Sequence, residues 1–378
     1  MKPWLKQLVH NDGVDRLIDA ARSPGRICVQ GAWGSSTHLL AGAIHQRTDR
    51  PVLLVLGHLD DAAEAVEDLN LFGEIDAVEL PALEVMPGES HVSLELLGER
   101  LGLITRLHHG DQPDVVVAPV QSLMQSAPKR EALGGMTLEL VVGREIALGD
   151  LTQWLADAGY QRVDAVDQPG DFAIRGGIVD VLPPGNLPAV RIDFFGDEID
   201  TLAEIDLNSM GSGRRLDSAR LINASVEAVQ SEDRTTSVWS LLRENTAVVI
   251  HEVLEVAEQA RGYYERLTDD RGIHNPNAVL KALHERGAVE VSQFPAGRTG
   301  DDVGVELPIR AVPNFEHDAS AAVAELGSLA TGPEAAGRVV VLCAKEAERD
   351  RLAELIEQNA PQAAAKIELE VGYLHRGF

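Results

Sequence analysis

Between Arg26 and Pro119 the chain alternates short apolar runs with stretches of helical spacing. RICVQ reads as a strand, and a helix is expected from about Ser36, where Leu39/Ala43 and Leu40/Ile44 recur four residues apart. PVLLVLG is a buried-strand run, and Asp60 and Asp61 after it can cap a helix over AAEAVEDLNLF. AVEL reads as a further strand, Leu94, Leu97, Leu101 and Ile104 mark a long amphipathic helix, and DVVVAP is again a buried strand. Such alternation predicts a mostly parallel sheet covered by helices.

Near residue 136 the pattern changes. MTLELVVG is strand-like, LGDLTQWLADAGY is a short helix, and the stretch from Gln161 to Asp206 is a series of strands and turns, punctuated by Gly176-Gly177, Pro183-Pro184-Gly185 and Gly196-Asp197. This predicts a compact α+β insert. Beyond about residue 212 the chain reads as helical with one apolar strand at TAVVI, and SQFPAGRTGDDVGVELP reads as a linker. A last βα unit, RVVVLCA into KEAERDRLAELIEQ, is followed by the strand KIELEV.

Composition adds limits. The 378 residues, 44% of them hydrophobic, are enough for two to four domains with sizeable cores. No apolar run approaches the roughly 18 residues needed to cross a bilayer, and no leader pattern precedes the first helix, so no membrane partner and a cytoplasmic location are expected. Cys28 and Cys343 each sit in an apolar run and read as buried free thiols. A net charge of −27, from 33 basic and 60 acidic residues, opposes duplex binding and favours a protein partner, with a merely solubilising acidic surface as the alternative.

The turn after RICVQ stands where a Walker A phosphate loop would be. That loop needs two glycines, a lysine to neutralise phosphate and a hydroxyl for Mg²⁺. Here Gly31 and Gly34 remain, while Ser36 replaces the second motif glycine, Thr37 the lysine and His38 the hydroxyl residue. In AVVIHE, the best Walker B candidate, Glu252 is in place but His251 stands where the metal-binding aspartate would be. Neither ATP hydrolysis nor a bound cofactor is expected; an ordinary strand–helix turn is the plain alternative. Glu316-His317-Asp318 reads as a solvated loop, and His108-His109 closes a helix where positive charge suits the dipole. No metal site and no nucleophile elbow are expected.

The segment GDFAIRGGIVDVLPPG with AVRIDFFGDEIDTLAEID is long and specific. It resembles domain 2 of the excision-repair protein UvrB and of its relatives, the bacterial transcription-repair coupling factors (Mfd). The broken loop, the short LPALEVMPGESHVSLELLGERL in place of UvrB's DNA-gripping hairpin, and the final EVGYLHRGF resemble the coupling factors rather than UvrB, although Met86 stands where a tyrosine is usual. The resemblance implies a degenerate RecA/Rossmann-like parallel-sheet domain 1a at 1–130 and an inserted α+β domain 2 at 131–211. A returning domain 1b at 212–300 follows, then a linker with an incomplete α/β domain 3 at 301–378. It also implies an adaptor with no catalytic residues that docks UvrA through positions matching Arg175, Arg191 and Phe195. RNA polymerase and DNA would be engaged by later parts of the family's chain, which is an ATP-dependent translocase when whole; this sequence is expected to be a fragment free of their autoinhibitory masking. If residues 190–195 form a strand, Arg191, Asp193 and Phe195 share a face, and an Arg with an aromatic makes a binding hot spot. Alternatively, a phenylalanine is core and the arginines pair locally with Asp180 or Asp193. Two other readings stay open: a UvrB-like ATPase or helicase, and a structural module that only packs on the family's C-terminal part.

Overall fold

The computed structural model describes residues 3–21, 26–83, 93–133, 137–184, 188–207, 209–222, 234–294, 302–307, 309–313, 315, 318–332 and 339–378. Seven strands pair in the order Val303–Glu306, Ile27–Gln30, Val289–Ser292, Ala247–His251, Val52–Leu56, Val115–Pro119 and Ala77–Glu79. Every pairing in this sheet is parallel. Side chains alternate between faces: Val52, Leu54 and Leu56 join one core and Leu53 and Val55 the other. Helices Asp12–Ala20, Ser36–Thr48 and Asp60–Leu69 contribute to the first core, and Leu94–His108, Val253–Arg266 and Pro276–Glu285 to the second. With both faces covered, the inner strands Val52–Leu56 and Val115–Pro119 are apolar throughout, as a parallel sheet favours.

The chain leaves this sheet after Pro119 and returns at Ala247. Between them lies a six-stranded sheet, ordered Gly211–Leu216, Glu198–Asp206, Val190–Phe195, Ile178–Val181, Asp171–Arg175 and Gln161–Arg162. Its pairings are antiparallel except the last, Gln161–Arg162 with Asp171–Arg175. Leu151 and Leu155 of the helix Leu148–Asp157 pack with Phe172, Val179, Val190 and Ile192 of this sheet. A two-stranded ribbon, Thr137–Val141 with Ser218–Ile222, closes the insert. A smaller unit holds the helices Ala319–Thr331 and Glu346–Asn359 and the parallel pair Val339–Cys343 and Ile367–Val371. Both cysteines are buried, and neither forms a disulfide.

The structure departs from the sequence reading in four places. Strands Gly211–Leu216 and Ser218–Ile222 carry the insert past the boundary expected at 211, because each pairs with a strand inside it. The returning segment holds a second strand of the large sheet, Val289–Ser292, besides TAVVI. Part of the expected linker is the edge strand Val303–Glu306, with Val305 and the following Leu307 buried in the core. Asp60 and Asp61 lie in the first turn of their helix, and its N-cap residue, Leu59, makes no side-chain cap. Met86, Gly185, Glu316 and His317 lie outside the described residues; Asp318 caps Ala319–Thr331 by accepting from the Ala321 N–H.

Candidate functional site

Two hairpin tips share one end of the inserted sheet. Arg175 pairs with Ile178 across Gly176-Gly177, and Phe195 pairs with Glu198 across Gly196-Asp197. Gly176 (φ +64°) and Gly196 (φ +65°) adopt the left-handed backbone that such tight turns require. The Phe194 N–H donates to the Gly177 carbonyl at 2.9 Å, so the tips are neighbours. Phe194 packs on the core, while Phe195 is 82% exposed. Leaving a phenylalanine ring in water at a turn forgoes about 2 kcal/mol of burial. Arg175 is exposed too and is lightly held, by one bond of 3.0 Å to the Asp164 carbonyl.

Arg191 follows the alternative that the sequence left open, pairing locally with Asp180 and not standing exposed beside Phe195. It lies four residues from Phe195, about 13 Å along the strand. It forks onto the carboxylate of Asp180, its direct cross-strand partner, at 2.7 and 2.8 Å, and its side chain is only 15% exposed. The remaining donors reach Ser212 Oγ and the Met210 carbonyl. Asp180 raises the guanidinium's already high pKa further. The structure therefore brings Arg175 and Phe195 to one rim and places Arg191 behind it, tying three segments of the insert together.

At the carboxyl end of the strand Ile27–Gln30, the loop donors face protein carbonyls. Gly31 N–H donates to Gln293 O (3.2 Å), Ala32 N–H to Ser292 O (3.1 Å), Ser36 N–H to Trp33 O (3.1 Å) and Ser35 N–H to Arg376 O (2.9 Å). Thr37, in the lysine's place, is buried with its Oγ1 3.0 Å from Nδ1 of His251, so these two replacements meet each other. Burial pushes the His251 pKa down to about 4, and His38 adds to the shift. Glu252 has a left-handed backbone (φ +47°), and its carboxylate accepts from the Gln293 N–H at 2.6 Å. His38 turns away from the loop to Oδ2 of the fully buried Asp68, at 2.7 Å. Ser36 is buried, with a hydroxyl that has no hydrogen-bond partner. Among the described residues no group of three or more His, Cys, Asp or Glu side chains could hold a metal ion.

Asp68, His375 and Arg376 belong to this site and were not picked out from the sequence. Asp68 gave one signal: it lies three residues after Ala65 and next to Leu69, on the apolar stripe of its helix. A carboxylate on such a stripe needs partners, and they come from 30 and 307 residues away.

Comparison with known proteins bears on the insert first. A family model, the UvrB interaction domain, matches residues 138–226. The transcription-repair-coupling factor of Bacillus subtilis is 31% identical over 210 residues, 55% of this chain and 18% of that protein. The Escherichia coli protein of the same name is 28% identical over 212 residues (54% and 18%), and that of Mycobacterium tuberculosis 31% over 274 (70% and 22%). The chain is a relative of the transcription-repair-coupling factors. Its match spans only about a fifth of those coupling factors' own length, 18 to 22%. Among solved structures, a hypothetical ATP-dependent RNA helicase from Sulfolobus tokodaii aligns over 100% of this chain and 85% of its own, with a TM-score of 0.33 and 8% identity, too distant to carry an argument. No helix among the described residues is long and apolar enough to cross a membrane.

Proposed function

We propose that this chain is a non-catalytic adaptor module of a transcription-repair-coupling factor, docking UvrA through the inserted sheet and so joining excision repair to a stalled RNA polymerase in the cytoplasm. The observation that carries this reading is the UvrB interaction domain match on a sheet whose rim holds an 82% exposed phenylalanine beside an exposed arginine. Phe195 is the anchor and Arg175 the charged contact, able to fork onto a carboxylate of UvrA. Arg191 is a positioning residue that fixes the strand carrying Phe195. Polymerase and DNA contacts fall to parts of the coupling factors outside this chain. The reading as non-catalytic rests on the loop: its amides serve protein carbonyls, and Thr37 supplies no cation.

Titration of the chain with UvrA tests the proposal. Phe195→Ala is expected to weaken binding by about 2 kcal/mol, roughly thirtyfold, with an unchanged melting temperature, and Arg175→Ala by a smaller factor. Equal affinity of the wild type and a folded Phe195→Ala variant overturns the assignment of the rim.

A further inference from the structure

The loop after Ile27–Gln30 stands where the sequence would place a phosphate loop, and a distant peptide of the same chain lies against it. Ser35 N–H donates to the Arg376 carbonyl at 2.9 Å, and Arg376 N–H donates back to Ser35 Oγ at 3.1 Å. Gly34, at φ +53°, is required by this contact: a Cβ there would lie 2.5 Å from Arg376 O and 2.6 Å from Gly377 O. One step deeper, Asp68 divides its carboxylate between the loop's helix and the visiting segment. One oxygen meets His38 at 2.7 Å; the other accepts the His375 N–H at 3.0 Å and lies 3.1 Å from the His375 ring. Outside, the Arg376 guanidinium reaches Asp61 at 3.1 Å and Glu64 at 3.5 Å. Leu374 and Phe378 pack on the core of the large sheet.

A carbonyl oxygen accepts from an amide as a phosphate oxygen does, but it brings almost no charge to neutralise. A cradle holding carbonyls therefore has no use for the lysine, and Thr37 can bond within the protein to His251.

We propose that the converted phosphate loop is a latch seat whose ligand is the chain's own Tyr373–Phe378 segment, which fastens the C-terminal α/β unit to the large sheet and closes the loop to nucleotide. The segment follows directly on Ile367–Val371, one of the two paired strands of that unit. Seating it therefore fixes where the unit attaches. The proposal is independent of UvrA docking, because the rim and the seat are on different sheets.

Residue-resolved hydrogen exchange on the full chain tests it. In the wild type the Ser35, His375 and Arg376 amides are expected to be protected, and saturating MgATP or MgADP to leave them so. Arg376→Pro removes the N–H to Ser35 and the guanidinium contacts with Asp61 and Glu64 without changing a loop residue; it should speed Ser35 exchange by about tenfold or more while the Val52–Leu56 amides stay slow. The milder surface pair Asp61→Asn with Glu64→Gln should speed the same amides by a smaller factor with the core intact. Three results overturn the latch: unprotected Ser35 and His375 amides in the wild type, nucleotide binding that accelerates exchange at 375–378, or unchanged Ser35 protection in both folded variants.

Discussion

Two residues in one strand, Arg191 and Phe195, show how a shared sequence motif divides into different duties. Val190–Phe195 sends Ile192 inward and Arg191 outward, and pairing with Ile178–Val181 sets Arg191 directly across from Asp180. A 2%-exposed carboxylate needs a partner, so the guanidinium is committed inside the insert. Arg191→Glu would set two carboxylates against each other there. It is expected to lower stability by on the order of 3 kcal/mol, read as an earlier melting transition. A variant melting with the wild type would show that Asp180 does not depend on Arg191. Any loss of UvrA binding in Arg191→Glu thus mixes docking with folding, whereas truncating Phe195 removes only an exposed ring. The alternation of Arg191, Asp193 and Phe195 was legible in the sequence. Local pairing of Arg191 with Asp180 or Asp193 was legible as an alternative; that Asp180 is the partner depends on which strand lies alongside.

At the scale of elements, the strongly apolar strands and the spaced helices of the first 120 residues were legible because each carries its own periodicity. Val303–Glu306 was not: it alternates V-G-V-E amid glycine and aspartate, the texture of a linker, and only its parallel pairing with Ile27–Gln30 makes it a strand. The contact between Thr37 and His251 is likewise tertiary, joining the start of one helix to the end of a distant strand. It carries a pH signature. His251 has an ordinary value of 6.5, depressed to about 4 by burial, so the fold favours its neutral form. That contribution is complete above pH 6.5 and is lost as pH falls toward 4. His284 acts in the opposite sense: its bond to Glu290 raises its pKa against the effect of burial, so its contribution is lost as pH rises. Comparing His251→Asn with the wild type isolates the first effect. The wild type should lose more melting temperature between pH 7 and 4.5 than the variant, and equal losses would contradict the buried neutral imidazole.

Across the whole molecule, two sites divide the work. On the large sheet the loop after Ile27–Gln30 is bonded to residues 375–376 of its own chain, and the inserted sheet turns an unburied aromatic to solvent. The insert was legible from the change of texture near residue 136, whereas the return of the chain to the large sheet was expected only through the resemblance. The closure of the loop was not legible, since Asp68 and His375 lie 307 positions apart and nothing local links them. The central claim is that UvrA meets the rim of the insert. The most direct measurement is hydrogen exchange of the full chain with and without saturating UvrA. The account predicts slowed exchange at Gly176, Gly177, Gly196 and Asp197, with the loop at Gly31–Thr37 unchanged. Slowing confined to other surfaces, with both hairpin tips unaffected, would contradict it.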